Sequence, residues 1–182
     1  KAAMESGVAT RPIKDFGAYR EELDRFVFRS GMLMKPIFES AKADVKRLVF
    51  AEGEDERVLR AVQVLVDDRI AKPHLIGRPD VINTRIERLG LRIKEGKDFN
   101  LTNPERDPRY EDYWREYHTL MKRRGISPDL ARTIIRTNST VIAALMIRRG
   151  EADAMICGTY GHYSWHLSHV MDVIFKCGIS LF

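Results

Sequence analysis

The feature that most constrains this sequence is a repeated change of hydrophobic period between residues 46 and 158. Short apolar runs alternate with stretches whose apolar residues recur at helical spacing. Arg47-Leu48-Val49-Phe50-Ala51 is bounded by polar residues, as expected of a strand buried on both faces of a parallel sheet. Val58, Leu59, Val62, Leu65 and Val66 then fall on one helical face. Pro73-His74-Leu75-Ile76-Gly77 reads as a second strand, and Val81, Ile82, Ile86 and Leu89 as a helix that Gly90 closes in the left-handed conformation. A third strand is expected over Asp98-Phe99-Asn100-Leu101 and a fourth over Ala154-Met155-Ile156-Cys157-Gly158. Between them, Tyr113, Tyr117 and Leu120 mark a helix stopped near Gly125. Ser127-Pro128-Asp129 is a helix start, with a cap, a first-turn proline and an acid at the positive dipole end. Val141, Leu145 and Ile147 belong to a further helix ending at Gly150. Strands alternating with helices predict an α/β fold, a three-layer and largely parallel sheet flanked by helices.

Residues 1–14, with Gly7, Pro12 and small or polar side chains, read as a linker. Phe16, Tyr19, Leu23, Phe26 and Val27 follow at helical spacing behind Asp15, a candidate N-cap. A second helix is expected from about Met32 to Ala43, with Pro36 in its first turn. The expected division is a linker over 1–14, a helical connector over 15–45 and an α/β domain over 46–182. Ile179-Ser180-Leu181-Phe182 is an apolar run with no cap after it, so the sheet is expected to be incomplete at this end and to continue beyond Phe182.

Of the 182 residues, 44% are hydrophobic and 31% charged, the balance of a folded water-soluble chain. Arg148, Arg149, Glu151 and Asp153 interrupt the most apolar stretch, so no membrane partner is expected. Two cysteines, Cys157 and Cys177, are too few for a disulfide framework, which points to a reducing cytoplasm. The net charge of +5 is modest. Lys122-Arg123-Arg124 and Arg148-Arg149 lack interleaved aromatics and any nucleic-acid motif, so no nucleic-acid partner is expected. An anionic small molecule suits the same charge.

In open parallel sheets ligands bind at the carboxyl ends of strands. The first strand-to-helix turn, Glu52-Gly53-Glu54-Asp55-Glu56-Arg57, has neither G-x-G-x-x-G nor G-x-x-x-x-G-K-[ST]. Its four carboxylates repel a phosphate, and they are expected to stabilise the following helix N-terminus instead. The turn after the fourth strand contains Gly158, Thr159, Tyr160, Gly161, His162 and Ser164 without one acid. Glycine backbone and hydroxyls there suit a phosphate or carbonyl oxygen, although an ordinary polar loop has the same composition. Arg136, Thr137 and Asn138 place a cation and polar groups at a helix N-terminus, as an anion site or as a hydrogen-bonded cap. His162, His166 and His169 lack the glutamate of a zinc motif and read as partly exposed structural histidines, so no metal ligand is assigned. Cys157 at the end of an apolar strand reads as an inert thiol.

Several of these segments also resemble a known family. Val49-Phe50-Ala51-Glu52-Gly53-Glu54-Asp55-Glu56-Arg57-Val58-Leu59-Arg60-Ala61 resembles the opening strand and helix of the phosphate acetyl/butyryltransferases. Ile70 to Pro79 resembles their second strand, and Arg124-Gly125-Ile126-Ser127 and Gly150 to Gly158 are similar to their later signatures. The resemblance runs from about Lys46 to Ile174. Lys1 to Ile13 resembles the end of the catalytic domain of bacterial malic enzymes, and Asp15-Phe16-Gly17-Ala18-Tyr19 the connector of the hybrid malic enzymes with a phosphotransacetylase-like tail.

The resemblance implies a parent protein that decarboxylates malate oxidatively with NADP and a divalent metal, Mg or Mn, through a domain upstream of Lys1. It implies no catalytic residue and no cofactor in this segment, a cleft between two α/β domains, and a homo-oligomer. It also implies where acyl transfer would need arginines: Met121 and Ser168 occupy those two positions. The expected role is therefore an acyl-CoA-sensing module with acetyl-CoA as effector, and the alternative is an active phosphate acetyltransferase.

Overall fold

The structure, a computed structural model, describes residues 15–27 and 31–174 together with Gly7 and Ile13. Most of the linker over 1–14, Cys177 and the apolar run 179–182 lie outside the described residues. The chain divides into two compact units, Lys1–Ala43 and Asp44–Phe182.

The first unit carries α1 (Phe16–Val27) and α2 (Gly31–Ala43). Asp15 caps α1 as expected: its Oδ1 accepts the N–H groups of Gly17 at 2.7 Å and Ala18 at 3.3 Å. The side chains of Phe26 and Val27 lie outside the described residues. Pro36 is not in the first turn of α2, because the helix already starts at Gly31 and runs through the proline.

The second unit is built on four parallel strands, β1 (Lys46–Phe50), β2 (Ala71–Ile76), β3 (Asn100–Thr102) and β4 (Ala154–Ile156), in the order β3-β2-β1-β4. Both β1 and β2 begin and end a residue or more earlier than the hydrophobic run predicts. Strand β3 falls later, because Asp98 instead closes a turn, its carboxylate accepting the N–H of Lys94. Alternation along β1 and β2 sends side chains into two cores. Val49, Ala51 and Ile76 face one layer, and Phe50 and Leu75 face the other.

The Phe50 side is covered by α3 (Glu56–Asp68) and α4 (Pro79–Leu89) through Val58, Leu59, Val62, Ile82 and Ile86. The Val49 side takes α5 (Tyr110–Met121), α6 (Pro128–Thr137), α7 (Ser139–Arg148) and α8 (Tyr163–Ile174). Helix α7 is the centre of this layer, with Thr140 to Met146 all buried. Each large aliphatic side chain so buried stabilises by roughly 1.5–3 kcal/mol. Ser127 caps α6 and Gly90 closes α4 at φ 63°, both as the sequence predicts.

Ion pairs hold β4 in register. Asp153 accepts the backbone N–H of Arg47 at 2.8 Å and its guanidinium at 2.7 Å, tying the start of β4 to β1. Glu151, just before β4, receives Arg109 at 2.7 Å, Arg149 at 2.6 Å and the Tyr113 hydroxyl at 2.6 Å. Burial and the bond to Glu151 push the Tyr113 hydroxyl far above the usual tyrosine range. Because the chain runs outward from β1 to β2 and β3 and then returns to β4 on the other side, the order in which strands are added reverses at β1. A crevice at the carboxyl ends of the strands follows from that topology.

Candidate functional site

Two loops meet at the carboxyl ends of β1 and β4. The first begins with Glu52, a carboxylate with only 2% of its side chain exposed. Gly53 follows, and its missing side chain serves packing rather than ligand approach: a Cβ there would lie 2.8 Å from the carbonyl oxygen of Ile76. Two of the four acids of this turn act on the α3 N-terminus as expected from sequence, Asp55 as its cap and Glu56 in its first turn. Asp55 accepts the Arg57 N–H at 2.8 Å. Glu54 reaches across to the turn after β2 and accepts the backbone N–H of Arg78 and the Nε and Nη2 of its guanidinium, each at 2.9 Å. That pairing holds the Glu54 carboxyl below its usual range.

The second loop, after β4, is pinned from three sides. The N–H of Gly158 donates to Glu52 Oε1 at 2.9 Å, and Arg57 donates to the Thr159 carbonyl at 2.6 Å. His166 Nε2 donates to the Tyr160 carbonyl at 2.8 Å. A carbonyl only accepts, so in the neutral ring Nδ1 is the acceptor and takes the Thr140 hydroxyl at 2.9 Å. Gly158 at φ 93° and Gly161 at φ 88° supply the left-handed conformations this path requires.

These contacts correct two expectations. The loop has no acid of its own, but folding brings Glu52 against it, and the Gly158 N–H is engaged by that carboxylate. His166 is not a partly exposed histidine: it is 3% exposed and ties α7, α8 and the loop together. Among the described residues no group of three or more His, Cys, Asp or Glu side chains is arranged to hold a metal ion. Burial, reinforced by the nearby Glu52, pushes the Cys157 thiol up, which suits an inert thiol.

A cleft of about 380 Å³ opens beside these loops, lined by Glu52, Glu54, Asp55, Arg85, Arg136, Thr137, Ser139 and Tyr160, among others. Of the sequence-predicted residues, Arg136, Thr137 and Tyr160 meet there. Asn138 is the cap of α7, its Oδ1 accepting the Val141 N–H at 3.3 Å. Gly158, Thr159 and Gly161 form the pinned loop backbone. His162 and Ser164 are exposed at the start of α8 and do not line the cleft. Sequence reasoning missed Glu52, Arg85, Thr140 and His166 as parts of the site. The first turn also offers no place for a dinucleotide pyrophosphate, since its glycine is packed and carboxylates fill the position. Met121 is buried in the core, and the Ser168 hydroxyl donates to the Trp165 carbonyl within its own helix at 2.8 Å.

An open parallel sheet, covered on both faces and carrying a polar cleft at its carboxyl edge, defines an open-sheet α/β domain. The chain belongs to the phosphate acetyl/butaryl transferase family, whose profile matches residues 32–179. It is 61% identical to an NAD-dependent malic enzyme of Rhizobium meliloti over 97% of this chain and 23% of that protein. It is 56% identical to an NADP-dependent malic enzyme of Escherichia coli over 95% of this chain and 23% of that protein. The chain thus spans about a quarter of the length of these curated relatives. A phosphate acetyltransferase of Nitratidesulfovibrio vulgaris is 33% identical over 67% of this chain and 17% of that protein. The fold is similar to that of a phosphotransacetylase from Streptococcus pyogenes, with a TM-score of 0.68 at 19% identity, covering 78% of this chain and 43% of that one. Among the described residues no single helix is long and apolar enough to cross a membrane.

Proposed function

We propose that this segment is the acyl-CoA-sensing and assembly part of a cytoplasmic malic enzyme. The parent oxidatively decarboxylates malate to pyruvate with NAD or NADP and a divalent metal, in a domain outside this chain. The malic enzymes named above match nearly the whole segment at 61% and 56% identity, which supports the parent. The observation that carries the non-catalytic reading is the state of positions 121 and 168. Acyl transfer needs fixed positive charge at the developing oxyanion. Met121 is instead part of the apolar core, and Ser168 is turned onto its own helix.

Acetyl-CoA is the proposed effector, bound between Tyr160 and the elbow of Arg136 and Thr137. Self-association belongs to the same proposal, supported by the exposed Tyr163, Trp165, Leu167 and Met171 along α8. The second reading, an active phosphate acetyltransferase, is favoured by the phosphate acetyltransferase relative at 33% identity. Assaying the full-length protein for acetyl phosphate formation from acetyl-CoA and phosphate separates the two. The regulatory reading expects no turnover above background, and turnover abolished by Tyr160→Ala would establish the second.

A further inference from the structure

We propose that the cleft beside Tyr160 is a bipolar subsite, in which Arg136 and Arg85 anchor a phosphate group while Glu52 accepts a hydrogen bond from a donor on the same ligand. It rests on the acyl-CoA reading only for the source of the phosphate. The charges lining the cleft are not equivalent. Glu54 is paired edge to edge with Arg78, and Asp55 with Arg57 at 2.9 and 3.0 Å, so each of these acids already has its own guanidinium. Arg136 and Arg85 differ. Arg85 donates to the Glu54 carbonyl and, among the described residues, has no carboxylate partner. The Arg136 guanidinium lies 4.8 Å from the centre of the Tyr110 ring, with no carboxylate partner among the described residues. Stacking of this kind fixes the plane of the guanidinium and leaves its edge donors for an oxyanion.

Helix α7, ten residues long, begins at Ser139 in the same cleft and directs its positive dipole end there. The Glu52 carboxylate supplies an independent sign of a ligand. It lines the cleft, is almost fully buried, and its Oε2 has no hydrogen-bond partner. A buried oxygen of this kind calls for a donor. It also repels a bare anion, so the phosphate is drawn to the Arg136 side and an amide N–H or hydroxyl to the Glu52 side. The volume of about 380 Å³ suits one end of a nucleotide-sized ligand rather than the whole.

The test is calorimetric titration of the full-length protein with inorganic phosphate and, separately, with acetyl-CoA. Arg136→Gln should weaken both by about tenfold or more, and Arg136→Lys should recover part of the loss. Arg92→Gln, which removes equal charge at a pair with Asp67 outside the cleft, should leave both unchanged. If Arg136→Gln binds both probes as the wild type does, the subsite is overturned while acyl-CoA sensing stands. If phosphate binds in an Arg136-dependent way and acetyl-CoA does not bind at all, the subsite is supported and the acyl-CoA reading falls. Failure of wild type to bind either probe overturns both.

Discussion

His166 Nε2 donates a 2.8 Å hydrogen bond to the carbonyl oxygen of Tyr160, joining a buried side chain of α8 to an exposed part of the strand-four loop. The loop path is therefore set from beneath by an imidazole whose other nitrogen is fixed by Thr140 on α7. Tyr160 reaches the cleft because this bond and the Glu52–Gly158 bond hold the backbone on either side of Thr159.

Replacing His166 with Ala should release the loop and leave the Thr140 hydroxyl without its partner. The expected cost is about 2–4 kcal/mol from the cavity and the orphaned group. Hydrogen exchange in peptides spanning Gly158 to Tyr163 should accelerate markedly, while peptides of α3 and α4 on the opposite face stay protected. Unchanged exchange across the loop would show that His166 does not hold it.

A second histidine predicts a pH dependence. Burial, aided by the positive charge of Arg109, lowers the His74 imidazole from 6.5 to about 4. The unfolded chain therefore takes up this proton first as pH falls. Its contribution to stability is fully present above about pH 6.5 and is lost progressively toward pH 4, by about 3 kcal/mol in all. His74 Nε2 lies 2.7 Å from the Thr102 hydroxyl, so His74→Gln, which keeps a polar partner there without titrating, should flatten the decline of the melting temperature between pH 7 and pH 5. An identical decline in both proteins would assign it to other groups.

Gly53→Ala should be disproportionately damaging for a single methyl group. The added Cβ would lie 2.8 Å from the Ile76 carbonyl and 2.8 Å from Leu75 Cβ, atoms of a central strand that cannot turn away. A loss of about 2 kcal/mol or more is expected, read as a lower melting temperature or loss of soluble protein. Gly90→Ala, in open space at φ 63°, should cost only about 1 kcal/mol for its left-handed backbone.

What was legible in the sequence was local. The period change at Lys46, the Ser127-Pro128-Asp129 start, and Gly90 and Gly150 as stops all depend on neighbours within one helical turn, and the elements form where those signals lie. Tyr160 and Arg136 were also visible, as a loop aromatic and a cation beside a helix start. Glu52 and His166 were not, because their environment is made by packing. Glu52 meets Gly158 across 106 residues of sequence, and His166 meets Thr140 across 26. A carboxylate that reads as one of four repelling acids becomes a buried acceptor once Arg78 and Arg57 have taken its neighbours. Likewise, His166 shares its spacing with His162, and only the fold buries one and exposes the other.

The most direct measurement titrates acetyl-CoA into the full-length protein while following malate-dependent reduction of its nicotinamide coenzyme. If binding at this segment favours one arrangement of the assembly, malate turnover must shift by the difference in affinity, with a reciprocal effect on acetyl-CoA binding. A saturable change in turnover is expected, which Arg136→Gln and Tyr160→Ala each weaken while turnover without acetyl-CoA is retained, together with no acetyl phosphate. Malate turnover that is indifferent to acetyl-CoA, accompanied by sustained acetyl phosphate formation, would contradict the acyl-CoA-sensing role.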